Sequence, residues 1–156
     1  MQRTAVFPGS FDPLTLGHAD IIERGLLIFD RIIIGIGNNA EKKYMFTLKD
    51  REQWIKKTFE KENRVEVSSY SGLTVDFCKK VSAGFIIRGV RNAADFEFEK
   101  AIAHMNSAIS ENIETVFVLS DLKYNALSSS IIRDIIRNGG NPQNFLPPAV
   151  QTGSRL

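Results

Sequence analysis

Residues 4–36 read TAVFPGSFDPLTLGHADIIERGLLIFDRIIIGI, and this stretch decides the fold class. Thr4 to Phe7 is a short apolar run that predicts a strand. Residues 17–29 repeat apolar side chains with helical spacing, and residues 31–36 are apolar on both faces, as central parallel strands are. The predicted apolar face of the helix consists of Ile21, Ile22, Gly25, Leu26 and Phe29.

The rest of the chain repeats this alternation. Further strands are predicted at 64–69, 85–87 and 115–119, and further helices at 47 onward, 73–81, 93–109 and 128–137. Strands that alternate with helices form a parallel sheet that is covered on both faces. We therefore predict one α/β domain over residues 1–150, Rossmann-like, with a central five-stranded parallel sheet flanked by helices on both faces. Residues 151–156 are polar and aperiodic, which predicts a disordered tail.

Composition excludes several classes of protein. The 156 residues carry a net charge of only +2, which is too mild to indicate a nucleic-acid partner. No apolar run approaches the ~18 residues that a membrane span needs, and the N-terminus has no signal-peptide pattern. We expect a cytoplasmic protein without a membrane partner. Cys78 is the single cysteine, so an intramolecular disulfide is impossible, and its apolar neighbours predict a buried, inert thiol.

Ligands of such sheets bind beyond the carboxyl ends of the strands, where the strand order reverses. This rule draws attention to four loops, at residues 8–17, 37–46, 88–92 and 120–127. In the first loop, Gly17 and His18 lie at a predicted helix N-terminus. Unpaired backbone N–H groups and the helix dipole favour an anion there, and His18 adds a side-chain donor.

Two familiar nucleotide motifs are excluded. The P-loop pattern G-x-x-x-x-G-K-S/T does not occur. Residues 35–40 match G-x-G-x-x-A after a strand, but the dinucleotide fingerprint needs a helix to begin at once. The next helix begins only near Thr47, so a nicotinamide cofactor is not indicated.

Ser128, Ser129 and Ser130 begin the last predicted helix. Simple N-capping would need only one serine. Three hydroxyls together with backbone N–H groups and the positive end of a helix dipole are suited to a triphosphate.

Two signatures, Thr15-Leu16-Gly17-His18 and Ser128-Ser129-Ser130-Ile131-Ile132-Arg133, resemble those of the nucleotidylyltransferase superfamily. More narrowly, the chain resembles the bacterial phosphopantetheine adenylyltransferases from about Gln2 to Pro147. The segments that carry this narrower resemblance are residues 8–13, 42–46, 88–91, 94–99 and 103–106.

The resemblance implies a role for each matching residue. His18 would stabilise the transition state, with Lys42, Arg88 and Arg91 also catalytic. The implied ATP-binding residues are Ser10, Phe11, His18, Gly89, Val90, Arg91, Glu99, Tyr124, Asn125, Ala126, Leu127, Ser128, Ser129 and Ser130. The implied residues for the acceptor substrate are Ser10, Lys42, Thr74, Arg88, Met105 and Asn106, with Ile102 beside them.

The sequence departs from the family pattern at Ser10, Leu16, Thr74 and Phe98. These departures affect individual contacts rather than the reaction. Other readings remain open for single residues: Lys42 as a solvated loop lysine, Arg91 and Glu99 as a surface ion pair, and His104 as a packing residue.

The implied reaction transfers AMP from ATP to 4'-phosphopantetheine, giving dephospho-coenzyme A and pyrophosphate. The acceptor phosphate has a second pKa near ~6, so it is already ionised at neutral pH and needs no general base. Mg²⁺ would be held mainly by the ATP phosphates and water. The family also implies a homohexamer and coenzyme A as a feedback inhibitor.

Two alternatives stay open. A sister nucleotidylyltransferase acting on nicotinamide mononucleotide, or using CTP, shares both signatures, although residues 88–106 argue against it. A non-catalytic nucleotide sensor would be expected to lose His18 or the serine run, and both are intact.

Overall fold

The computed structural model describes residues 2–153, which form one sheet with helices on both sides. The strands are β1 (Thr4–Gly9), β2 (Arg31–Gly37), β3 (Val65–Tyr70), β4 (Phe85–Val90) and β5 (Glu114–Leu119). The α-helices are α1 (Leu16–Gly25), α2 (Leu48–Thr58), α3 (Thr74–Lys80), α4 (Ala93–Ile109) and α5 (Ser129–Arg137). Short 3₁₀-helices span Leu122–Tyr124 and Gln143–Phe145.

The strand order is β3-β2-β1-β4-β5, and every neighbouring pair is parallel. This order confirms the predicted Rossmann-like fold. The order reverses at β1, because the chain moves outward to β2 and β3 before it returns to β4 on the other side. Ligands of open α/β sheets bind at such a reversal.

The core consists of two layers, one on each face of the sheet. Along β2, Ile32 and Ile34 pack in one layer with residues of α1, α2 and α5, whereas Ile33 packs in the other with residues of α3. All three isoleucines are at most 2% exposed. This two-sided burial explains why the strand is apolar at consecutive positions.

The first helix is shorter than predicted. The sequence indicated a helix over residues 17–29, but α1 ends at Gly25. The amides of Ile28 and Phe29 both donate to the Gly25 carbonyl, and Asp30 donates to Arg3 at the start of β1. Leu27 lies within the predicted helix but beyond the end of α1, and it is 86% exposed. Pairing with the neighbouring strand therefore ends the helix one turn early.

The strand β4 is longer than predicted. It continues past Ile87 because Arg88, Gly89 and Val90 all pair with β5. Arg88 is consequently held on a strand rather than in a loop. A side chain on Gly89 would collide with Ile21, since a Cβ there would lie 2.8 Å from its Cγ1 atom.

The helix α4 has the predicted bounds, with Asn92 as its N-cap, but its apolar face is not buried in this chain. Phe98, Met105 and Ile109 are 68%, 62% and 47% exposed, and Glu99 is the buried residue of the helix.

No helix within residues 2–153 is long and apolar enough to span a membrane. The first part of the predicted tail, residues 151–153, contains no helix or strand, although Thr152 is buried. The remaining residues, 154–156, lie outside the described residues. Cys78 is fully buried, as predicted, and burial raises the pKa of its thiol to about 11.

Candidate active site

A cavity of about 250 Å³ opens beyond the carboxyl ends of β1 and β4, where the strand order reverses. We call it the histidine cavity. Its wall combines the end of β1, the first turn of α1, the end of β4 and the segment that leads from β5 into α5. Residues that line it include His18, Arg88, Arg91, Ser120, Tyr124 and Ser129. The loops after β1, β4 and β5 thus meet as the sequence predicted.

His18 is fixed by its own helix cap. Thr15 is the N-cap of α1, and its hydroxyl accepts a hydrogen bond from the His18 backbone N–H. In return, the Thr15 backbone N–H donates to Nδ1 of the His18 ring at 3.0 Å. Since Nδ1 accepts this bond, the neutral ring carries its proton on Nε2. His18 is therefore oriented as a hydrogen-bond donor through Nε2.

His18 remains neutral over the physiological range. Burial lowers the pKa of the ring from 6.5 to about 4, and the positive charges of Arg88 and Arg91 act in the same direction. The ring also packs edge-on against Phe11, with ring centroids 5.2 Å apart. A neutral imidazole here can donate a hydrogen bond to an anion without itself carrying a charge.

Arg88 is held by a carboxylate from α4. Its Nε and Nη2 atoms donate to the two oxygens of Glu99 at 2.6 and 2.5 Å, and Nη1 donates to the Pro8 carbonyl at 2.8 Å. Glu99 is only 9% exposed. A bidentate pair of this kind fixes the plane of the guanidinium. One N–H on each terminal nitrogen has no partner in the bonds above and is available to a ligand.

Arg91 pairs with Asp95, not with Glu99. Its Nε donates to Asp95 at 2.8 Å, and Nη1 donates to the Leu127 carbonyl at 3.2 Å. The alternative that Arg91 and Glu99 form a surface pair is therefore wrong. The reason is that Arg88 extends from β4 toward Glu99, whereas Arg91 lies one turn from Asp95 at the start of α4.

The hydroxyls of the serine run all take part in hydrogen bonds within the protein. Ser128 accepts from the Ile131 N–H as the N-cap of α5, and Ser129 donates its hydroxyl proton to the Pro13 carbonyl at 2.8 Å. Ser130 is exposed and accepts from Arg133. The Ser129 hydroxyl proton is engaged with Pro13 in this structure, and contact of all three hydroxyls with a triphosphate stays a prediction. The backbone N–H groups that begin α5 remain at the cavity.

A second cavity, of about 580 Å³, lies beside the loop after β1. We call it the lysine cavity. Ser10 lines it from the β1 loop, Lys42 and Tyr44 from the loop after β2, and Tyr70 from the end of β3. The four loops to which the sequence drew attention therefore line two neighbouring cavities.

The family is established by comparison with known proteins. The sequence model of the cytidylyltransferase-like family matches residues 6–135. The phosphopantetheine adenylyltransferase of Flavobacterium psychrophilum is 61% identical over 96% of this chain and 99% of its own length. This chain belongs to the phosphopantetheine adenylyltransferases. Other members of the family, from Flavobacterium johnsoniae and Christiangramia forsetii, are 57% and 52% identical over 96% of this chain and 98% and 99% of their own lengths.

A solved structure with the same fold supports the architecture. It is that of a putative nicotinate-nucleotide adenylyltransferase from Vibrio parahaemolyticus, with a TM-score of 0.70 and coverage of 96% of both chains. At 21% identity this similarity shows the fold alone.

The residues implied by the family resemblance divide into three groups. Those at the histidine cavity are Phe11, His18, Arg88, Gly89, Arg91, Glu99, Tyr124, Leu127, Ser128 and Ser129. Those at the lysine cavity are Ser10 and Lys42. Those that line neither are Thr74, Val90, Ile102, Met105, Asn106, Asn125, Ala126 and Ser130. Val90 is only 4% exposed, and its backbone carbonyl accepts from the Ser120 N–H.

Several residues of the site were missed from the sequence. Asp12 is 3% exposed and accepts from the backbone N–H groups of Met45 and Phe46. The Ser120 hydroxyl lines the histidine cavity, is buried and has no hydrogen-bond partner among the described residues. Arg51 is 1% exposed. The sequence contained a signal of this burial: Arg51 precedes the apolar Ile55 by four positions, so both lie on the same face of the helix.

Proposed function

We propose that this chain transfers AMP from ATP to 4'-phosphopantetheine, giving dephospho-coenzyme A and pyrophosphate, as a nucleotidyltransferase of coenzyme A synthesis. The observation that carries the reaction type is the oriented His18 beside Arg88 and Arg91 at the strand-order reversal. The identity of the acceptor comes from family membership, since relatives that are 43–61% identical bear this name.

The chemistry needs alignment and charge stabilisation rather than a base. A phosphate oxygen of the acceptor attacks the α-phosphorus of ATP in line, and pyrophosphate leaves. The attacking phosphate is already ionised near neutral pH. What the protein must supply is positioning and neutralisation of two polyanions.

His18 is proposed to stabilise the transition state. Its Nε2 proton, fixed by the bond from Thr15 to Nδ1, would be donated to an oxygen on the reacting phosphorus as negative charge develops. A neutral donor does not compete with the arginines for the anion before reaction. Arg88 and Arg91 would bind phosphate oxygens, Arg88 through the N–H groups that Glu99 and Pro8 leave free.

Lys42 and Ser10 are proposed to bind the phosphate of the acceptor, because both line the lysine cavity beside the loop that leads to His18. Thr74, Met105 and Asn106 would contact the pantetheine arm. The Thr74 hydroxyl lies 2.8 Å from that of Tyr70, so one of the two hydroxyls donates to the other. The other proton of this pair remains available to an amide carbonyl of the arm.

Mg²⁺ is proposed to reach the site with ATP, held mainly by phosphates and water. The carboxylates beside the cavity, Asp95 and Glu99, already pair with Arg91 and Arg88. Mg²⁺ commonly keeps several waters and binds through substrate phosphates, so this donor set is compatible with it. The ion would reduce the negative charge of the triphosphate.

We also propose a homohexamer and coenzyme A as a product-like inhibitor. The exposed apolar face of α4, with Phe98, Met105 and Ile109, supports association with another subunit. Coenzyme A contains the product and could occupy its site. A cytoplasmic location stays a prediction.

The test is pyrophosphate release with ATP and a panel of acceptors. Phosphopantetheine should be turned over, whereas pantetheine should not, because its alcohol is protonated at pH 7 and His18 is set as a donor rather than a base. Turnover of pantetheine at a comparable rate would overturn the mechanism. Preferred turnover of nicotinamide mononucleotide would keep the mechanism and replace the acceptor, and ATP binding without any pyrophosphate release would indicate a nucleotide sensor.

A further inference from the structure

We propose that Arg51 is a positioning residue that holds the loops of Ser10 and Lys42 together at the acceptor-phosphate end of the site. This inference rests on the function proposed above. Arg51 Nη1 donates to the Ser10 carbonyl at 2.6 Å, and its guanidinium carbon lies 4.1 Å from the centroid of the Tyr44 ring. It thus contacts one residue from each loop.

The burial of Arg51 requires an explanation. The side chain is 1% exposed, and its Nε atom has no hydrogen-bond partner among the described residues. A buried cation is unfavourable unless it is paired and fully hydrogen-bonded. Burial lowers the pKa of the guanidinium, while the nearby Asp12 and Tyr44 act in the opposite direction. Incomplete pairing indicates that Arg51 is not kept for stability alone.

On the first loop, Arg51 fixes the peptide between Ser10 and Phe11. Phe11 has a φ of 47°, a left-handed conformation that a non-glycine residue keeps only when its surroundings enforce it. The hydrogen bond to the Ser10 carbonyl supplies such a restraint. Because the Phe11 ring packs against His18, the same peptide connects the acceptor end of the site to the histidine.

On the second loop, Arg51 stacks on the ring of Tyr44, whose hydrogen bonds hold the loop in its conformation. The Tyr44 hydroxyl donates to the Gly37 carbonyl at 3.2 Å and accepts from the Asn39 N–H at 2.9 Å. The backbone N–H of Lys42 donates to the Asn39 carbonyl, and Lys42 Nζ lies 5.8 Å from the Tyr44 ring centroid. Tyr44 therefore closes the loop around Lys42, and Arg51 restrains the ring of Tyr44.

A purely structural role makes a different prediction. Methionine is long, unbranched and apolar, so it can fill the space of the Arg51 side chain without burying a charge. If Arg51 only fills space, Arg51→Met should leave both loops and both substrates unaffected. If Arg51 positions the loops, the same change should weaken the acceptor selectively.

The experiment compares Arg51→Met, Arg51→Lys and the control Lys56→Met, which lies on the same helix with an exposed side chain. Arg51→Met should raise the KM for phosphopantetheine about tenfold or more, the scale of one charge-assisted hydrogen bond, with the KM for ATP nearly unchanged. Arg51→Lys keeps the charge and should recover part of this loss. Lys56→Met should match wild type.

A second measurement does not depend on the function. Hydrogen exchange of the ligand-free protein should be faster in Arg51→Met at the amides of Asn39, Met45 and Phe46, but unchanged at the buried amides of β2. Wild-type exchange at these amides together with a wild-type KM would overturn the proposal, as would an equal rise in KM for both substrates. If Arg51→Met does not fold, Tyr44→Leu removes the stacked ring and should give the same selective pattern.

The two proposals can fail separately. If the wild-type enzyme releases no pyrophosphate with phosphopantetheine, the proposed function is overturned, and the exchange of Asn39, Met45 and Phe46 still decides whether Arg51 orders the loops. If wild type is active but Arg51→Met has wild-type kinetics and exchange, only the role of Arg51 is overturned.

Discussion

The backbone N–H of Thr15 donates a hydrogen bond to Nδ1 of His18, at a distance of 3.0 Å. Capping boxes usually pair the N-cap residue with a glutamate or glutamine three residues on, whereas here a histidine ring takes that place. One local motif therefore begins the helix, selects the tautomer of the ring and aims its remaining proton at the cavity. This geometry leads to the first two predictions.

His18→Ala should slow turnover about 10²–10³-fold, the usual effect of removing one preorganised donor from a transition state. ATP affinity should change little, because Arg91 and the helix N-termini remain. Steady-state kinetics and calorimetric titration with ATP measure the two effects. His104→Ala, which removes the exposed second histidine, is the matched control. Wild-type turnover in purified His18→Ala would show that the ring has only a capping role.

Stability should fall at low pH because of His18. The folded-state pKa is about 4 and the ordinary value 6.5, so the unfolded chain binds the proton first as the pH falls. Relative to His18→Asn, wild type should be unaffected above about pH 7.5 and should lose up to about 3 kcal/mol between pH 6.5 and 4. Urea unfolding of both proteins across this range measures the difference. A constant difference from pH 7 to 4 would contradict the lowered pKa.

Lys42→Ala and Arg88→Ala should each weaken phosphopantetheine far more than ATP. Loss of a charge-assisted hydrogen bond is worth about 1.5–3 kcal/mol, or roughly 10–100-fold in affinity. Lys43→Ala, the exposed neighbour in the same loop, should bind both ligands normally. Calorimetric titration with each ligand measures the two affinities. An equal loss of affinity for both ligands would contradict the assignment of Lys42 and Arg88 to the acceptor phosphate.

Glu99→Gln should destabilise the protein by about 2–3 kcal/mol, because it leaves the partly buried Arg88 without its counter-charge. Combining it with Arg88→Met should cost less than the sum of the single changes, since the two residues interact directly. Chemical unfolding of the four proteins of this double-mutant cycle provides the coupling energy. Strict additivity would mean that the pair contributes nothing to stability.

Ser120→Ala should change the free energy of unfolding by less than about 0.5 kcal/mol in the absence of ligand, because the hydroxyl has no hydrogen bond to lose within residues 2–153. If the nucleotide supplies the missing partner, ATP affinity should fall about fivefold or more, as expected for a neutral hydrogen bond. Unchanged ATP affinity would show that the hydroxyl does not contact the nucleotide.

The sequence determined the elements and the position of the histidine. Thr47 caps α2 as expected, α4 has its predicted bounds, and His18 lies in the first turn of α1. Strand and helix periods, and caps such as these, depend on residues within about four positions of one another, so they can be read locally. The family signatures identified the reaction class for the same reason, since each is a short segment.

Only the tertiary structure decided which side chains meet. Glu99 pairs with Arg88 rather than with Arg91. Arg133 donates to the carbonyl of Asp12, which is 121 positions away in the sequence. The burial of Arg51 and its bond to Ser10 likewise depend on where α2 packs against the loop after β1. Strand order fixes these contacts, and several orders satisfy the same local periodicity. The sequence could therefore place His18 at a helix N-terminus but not assign the partners of the charges around it.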